Sequence, residues 1–298
     1  MTDQKDSSNA ILVGCLQVFK PGISLSIALS AMLGYLIQHP HPDGLFYMTG
    51  IFTFLLCAGS GGVNNCQDRH RDAAFERTRN RPLPCGILPF VPMLAQSMVL
   101  ILVGIAGLGM TRQPFITMAL GLAGVMLYNG IYTPLKSRTI LAILPGALCG
   151  MVPPAMGWSA AGGTPSMNLG ILSVMVIFGV WQLPHYWLIL LSHKKDYQKG
   201  AFPSMLTLFS LAQMERILLV WVLLFAAMIL MLPLFFSRIS APVLAILGFN
   251  ALGLSLWFIR NFFSCKMKKY PMAFILLNLS MGIFMVALMV DLMNQVHR

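Results

Sequence analysis

Asn64, Asp68 and Asp72 stand at i, i+4 and i+8, so a helix running through them sets three oxygen-bearing side chains in one row. Such a row suits Mg²⁺, which keeps several waters and is usually shared between one or two carboxylates and the phosphates of a substrate. Arg69, Arg71, Arg77, Arg79 and Arg81 are interleaved with this row or follow it, and guanidinium groups offer forked donors to phosphate oxygens. Residues 68–81 hold three of the nine acids and five of the twenty bases. That concentration favours a metal-bridged diphosphate site over a merely solvated, salt-bridged loop.

Other residues could serve the same chemistry. Tyr132 and Lys136 are four apart and share a helix face, which lets Lys136 meet a diphosphate as a point charge. Tyr128 is equally explained as an interfacial anchor. His185 follows Pro184 in an apolar stretch, where a polar ring is costly. It contacts a substrate or bonds to a carbonyl that Pro184 frees. Asp196 has no acid four residues on, because Gly200 stands there. His70 lies two residues from Asp68 and from Asp72. It therefore either lowers the negative charge of the site or points to another face and is only solvated. His39, His41 and His297 look inert, and His193 is as well explained by solvent. Gly59, Gly61 and Gly62 superficially suggest a dinucleotide loop, but no strand precedes them, so close helix packing is the better reading.

The elements that must position these residues are apolar spans. Hydrophobic residues make up 57% of the 298 positions and charged residues 10%, against about a quarter charged in soluble domains. A spanning helix needs about 20 apolar residues. Nine segments qualify: Pro21–Ile37, Leu45–Val63, Phe90–Met110, Phe115–Tyr132, Ile140–Trp158, Leu169–Leu191, Ile217–Phe236, Pro242–Ile259 and Met272–Met293. The fold class predicted is all-α, a nine-helix membrane bundle around a central cavity. It forms one domain over residues 1–298, with a polar tail at 1–15.

Seventeen lysines and arginines fall in the tail and the loops at 64–89, 133–139, 192–216 and 260–271, and three fall on the opposite side. This asymmetry predicts a cytoplasmic N-terminus and an outward C-terminus. It also explains the net charge of +11 without nucleic acid. The start of the chain lacks the pattern of a signal or transit peptide, which favours a bacterial inner membrane. Six scattered cysteines, with no C-x-x-C pair, suggest neither a disulfide framework nor a zinc site.

The pattern N-x-x-x-D-x-x-x-D at 64–72, followed by Glu76-Arg77-Thr78 and Arg81-Pro82-Leu83, resembles the first signature of the UbiA family of intramembrane prenyltransferases. Lys20-Pro21-Gly22, Tyr132-Thr133-Pro134-Leu135-Lys136, Pro153-Pro154 before Gly157-Trp158, Trp181-Gln182-Leu183-Pro184-His185, Lys195-Asp196-Tyr197 and Pro203-Ser204-Met205-Leu206 are similar to the branch of that family that prenylates heme. The resemblance implies farnesyl transfer from farnesyl diphosphate to a vinyl group of protoheme IX (heme B), giving heme O and diphosphate. It implies Mg²⁺ on Asn64, Asp68 and Asp72, with Asp196 as a further ligand, and these four with Lys136 as the catalytic set. Arg77, Arg81, Tyr132, His185, Lys195 and Tyr197 are implied as substrate-binding residues, with His185 a possible ligand to heme iron. Membrane lipid surrounds the protein, and contact with heme A synthase or terminal oxidase assembly is implied as well. The chain departs from the pattern at His70, where this branch often has Asp, and at Gly200, where the wider family has a second Asp. Two other readings remain open: prenylation of an aromatic quinone precursor, and a transporter, which would need polar groups lining a path between both faces.

Overall fold

The computed structural model describes residues 14–15, 17–164, 168–194, 205–236, 238–263 and 270–295. Among them nine helices are long and apolar enough to cross a membrane. They are α1 (Pro21–Gln38), α2 (Gly44–Asp72), α3 (Phe90–Leu108), α4 (Pro114–Val125), α5 (Ile143–Ala160), α6 (Leu169–Ser192), α7 (Leu211–Leu230), α8 (Ala241–Phe263) and α9 (Tyr270–Asn294). A π-helical stretch over Met126–Tyr132 and a last turn at Thr133–Leu135 carry α4 on to Leu135.

Local chemistry starts these helices. Pro21 and Pro114 occupy first turns, where a missing N–H costs nothing. The Asp43 carboxylate accepts from Phe46 N–H at the head of α2, and Asn168 accepts from Gly170 and Ile171 at the head of α6. Ser210 and Gln213 form a reciprocal capping box that starts α7 at Leu211, before the apolar run expected from Ile217. The same helix stops at Leu230 rather than Phe236, because Pro233 falls in a 3₁₀ turn over Leu232–Leu234.

Consecutive helices pack on one another, and α9 closes the ring against α1. α1 also packs along α5. Gly34 and Gly157 permit this: a Cβ on Gly157 would be driven into the Ala31 carbonyl oxygen, and one on Gly34 into that of Pro154. Gly59 and Gly62 let α2 approach α3 in the same way, whereas Gly61 meets no close neighbour there. Large side chains on the outer surface, such as Phe115 at 86% exposed and Phe249 at 79%, suit acyl chains as solvent.

The 29 residues of α2 make a helix of about 43 Å, longer than the ~30 Å hydrocarbon layer. The stretch Asn64–Asp72 is therefore helix, not loop. It projects from the apolar zone at the charged end of the bundle.

Candidate active site

Because α2 continues to Asp72, the side chains of Asn64, Asp68 and Asp72 share one face, and all three are buried. Four cations from four places converge on them. Lys136, just past the end of α4, forms an ion pair with Asp68 Oδ2. Arg71 Nη1 reaches Asp68 Oδ1 at 3.4 Å and the Thr133 carbonyl at 3.2 Å. Arg81 Nη1 donates to Asp72 Oδ2 at 2.7 Å and lies 3.4 Å from Asn65 Oδ1. Lys20 Nζ donates to Asn64 Oδ1 at 2.9 Å. Asn64 Nδ2 in turn donates to Asp68 Oδ2 at 3.0 Å and to Thr133 Oγ1 at 2.9 Å.

Backbone irregularities place two of these cations. Lys20 has φ 49° and ψ 56°, and it is the one non-glycine residue with positive φ among those described. A lysine held in the left-handed region costs of order 1–3 kcal/mol and persists where surrounding structure fixes it. Here the reward is a lysine head group on Asn64. On α4, Pro134 cannot donate to a carbonyl one turn back. The π turn absorbs the mismatch: the Thr133 N–H bonds to the Tyr128 carbonyl, five residues back. It also turns Asn129 inward, where it accepts from Ser60 Oγ at 2.5 Å and donates to the Ser60 carbonyl at 3.0 Å. That knot locks α4 to α2 and fixes where Lys136 emerges. Tyr128 and Tyr132 stack with centroids 5.7 Å apart, and Lys136 Nζ lies 5.6 Å from the Tyr132 ring.

Not every expected residue joins the cluster. Arg77 is exposed and makes no ion pair with a described acid. Arg71, one helical turn from Asp68, is the arginine of this stretch that reaches Asp68. His70 is exposed, and its Nε2 accepts from Arg69 Nε at 3.0 Å. Of the two readings open for His70, its exposure and its contact with Arg69 favour a solvated place on another face of α2. Lys195, Asp196 and Tyr197 lie outside the described residues. His185 is not bonded to a carbonyl freed by Pro184: its Nδ1 lies 3.1 Å from Asn278 Oδ1 on α9. Lys20, Thr133 and Asn278 were not singled out as site residues in the sequence, and Arg71 stood out only as one of five arginines near the row. The runs Lys20-Pro21-Gly22 and Tyr132–Lys136 and the three-residue spacing of Asp68 and Arg71 were the available signals, and Asn278 had none.

Among the described residues no three His, Cys, Asp or Glu side chains form a metal cage. Two carboxylates and an amide in a row, crowned by cations, instead fit a divalent ion that arrives with phosphate oxygens to complete its shell.

The comparisons with known proteins agree with this geometry. The model of the UbiA prenyltransferase family matches residues 25–286. A protoheme IX farnesyltransferase of Nitratidesulfovibrio vulgaris is 34% identical over 218 residues, covering 72% of this chain and 74% of that protein. One from Geobacter sulfurreducens is 33% identical over 188 residues, covering 63% and 68%. The solved structure of a UbiA homolog from Archaeoglobus fulgidus bound to GPP and Mg²⁺ superposes with a TM-score of 0.72 at 12% identity, over 94% of this chain and 99% of that one. The chain belongs to the UbiA prenyltransferase family, on the branch of the protoheme IX farnesyltransferases.

Proposed function

We propose that this protein transfers the farnesyl group of farnesyl diphosphate to a vinyl group of heme B, giving heme O and diphosphate. The observation that carries the reading is the buried Asn64–Asp68–Asp72 row, each member of which is held by a basic side chain. The names of the relatives supply the acceptor.

Asp68 and Asp72, with Asn64, would hold Mg²⁺, which when bound offsets the charge of the diphosphate. Lys136, Arg71 and Arg81 turn from the carboxylates to the diphosphate oxygens as negative charge develops on them. The C1–O bond of the farnesyl donor breaks and its electron pair leaves with the diphosphate. The vinyl π pair then bonds to C1. Apolar walls keep water from the allylic cation until that bond has formed. Water next adds to the cationic carbon beside the porphyrin and loses a proton, leaving a hydroxyl there. Lys195, Asp196, Tyr132 and Tyr197 are assigned to substrate on the motif match alone, Arg77 to a long-range electrostatic part, and Asp196 to a second metal position.

The whole chain acts as one transferase domain in a bacterial inner membrane. The charged end faces the cytoplasm, with the N-terminus inside and the C-terminus outside. Contact with heme A synthase or an assembling terminal oxidase would hand on the product. Purified protein given heme B and labelled farnesyl diphosphate should form labelled heme O, and a label found only on a quinone precursor would refute the acceptor. Reporter fusions at each terminus test the orientation.

A further inference from the structure

Among the described residues His185 is the one histidine placed well within an apolar span, and two features around it are not used by the diphosphate chemistry. The first is its hydrogen bond. Asn278 Nδ2 donates to the Phe274 carbonyl at 2.5 Å, which fixes the amide so that Oδ1 faces His185 Nδ1 at 3.1 Å. Turning the amide over would oppose two carbonyl oxygens and an N–H to the ring. An amide oxygen can only accept, so Nδ1 carries the proton and Nε2 keeps a lone pair. Nε2 makes no hydrogen bond to another described residue.

The second feature is an aromatic wall with an orphan donor. Trp181 lies 4.6 Å and Phe274 4.9 Å from the imidazole, centroid to centroid. Trp181 Nε1 is buried with no hydrogen-bond partner. The indole that packs on His185 thus carries a buried donor in want of an acceptor, which a bound ligand with polar groups would supply.

We infer that Asn278 is a positioning residue: it holds His185 as the Nδ1–H tautomer so that Nε2 can ligate the iron of the heme acceptor. The inference rests on heme being the acceptor. Partners of this kind orient a ligating imidazole and raise its basicity, and their loss typically costs 10–100-fold in metal affinity.

The test uses the purified full chain with two probes, heme B and iron-free protoporphyrin IX, followed by titration and by absorption and EPR spectra. Wild type should bind heme B with the spectrum of a histidine ligand. His185→Ala should lose that spectrum and regain it with added imidazole. Asn278→Leu should weaken heme B binding about tenfold while leaving protoporphyrin IX affinity unchanged. Asn278→Asp, a stronger acceptor, should keep the ligand and lower the heme reduction potential. An Asn278→Leu protein with wild-type heme affinity and spectrum would overturn the inference, as would one that loses both porphyrins equally. A wild type that binds heme with no histidine signature would remove iron ligation but leave the acceptor in place. Binding of farnesyl diphosphate with no affinity for either porphyrin would overturn the heme reading itself.

Discussion

Replacing Lys136 with Met should make the protein bind a bare divalent ion better and turn over worse. Asp68 is 4% exposed, and its Oδ2 is paired with Lys136 and accepts from Asn64 Nδ2, while Arg71 reaches Oδ1. A metal ion arriving alone must break the lysine contact before it can use that oxygen. A hydrogen bond to a charged group contributes roughly 1.5–3 kcal/mol. At 1.4 kcal/mol per tenfold, removing this competitor should raise metal affinity about 10- to 100-fold in the absence of diphosphate. The same lysine is needed when the diphosphate leaves, and losing one such donor costs about 10²–10³ in kcat. Mn²⁺ titration followed by EPR, with and without a diphosphate analogue, reads the first effect, and single-turnover farnesyl transfer reads the second. A Lys136→Met protein with unchanged or weaker metal affinity would refute the idea that the cations hold the carboxylates in reserve.

The carboxylate row was legible because its geometry is local. Once a helix runs through 64–72, the spacing alone aligns Asn64, Asp68 and Asp72, and polar residues so near an apolar span have few other uses. Helix number was legible for a similar reason: length and apolarity decide a span. Helix ends were less so. Hydropathy placed the start of α7 at the apolar residues, whereas the Ser210–Gln213 box starts it in polar sequence. Hydropathy likewise ended the second span at Val63, although the helix continues through Asn64–Asp72 past the apolar run. The partners of the row were hardest to see, because contact between distant segments leaves no local mark. Lys20 meets Asn64 across 44 residues and Asn278 meets His185 across 93. Arg77 and Arg71 are indistinguishable by type. Only continuation of α2 to Asp72 shows that Arg71 turns back onto Asp68 while Arg77 lies past the helix end and faces out.

Asp68→Asn and Asp72→Asn should each lower farnesyl transfer by at least about 10²-fold while membrane insertion persists, which activity and protease protection together would show. His70→Asp should leave Mn²⁺ affinity and the pH profile as in wild type, since the ring faces solvent beside Arg69; tighter metal binding would return His70 to the site. Gly157→Ala should lower the melting temperature in detergent, because the added methyl meets the α1 backbone, and overpacking costs about 1–3 kcal/mol or more. The opposite end of the bundle gives an acid-sensitive clasp. Arg112 Nη2 donates to Asp43 Oδ2 at 2.9 Å and lies 3.3 Å from His39 Nε2, while the Tyr35 hydroxyl donates to Asp43 Oδ1 at 2.7 Å. For His39, burial and then the Arg112 cation push the pKa below its ordinary value, with His41 adding to this and Asp43 opposing it. For Asp43, burial pushes upward, but Tyr35, the Phe46 N–H and Arg112 together hold the carboxyl below the usual range. Both shifts give the same sign. As pH falls through about 6.5 the unfolded chain protonates His39 first, and below about 4 it protonates Asp43 first, so the fold loses stability in two steps. His39→Gln should remove the upper step and keep the lower one in melting curves taken from pH 8 to pH 3. A His39→Gln protein that still loses stability between pH 7 and pH 5 as wild type does would show that the clasp is not what responds.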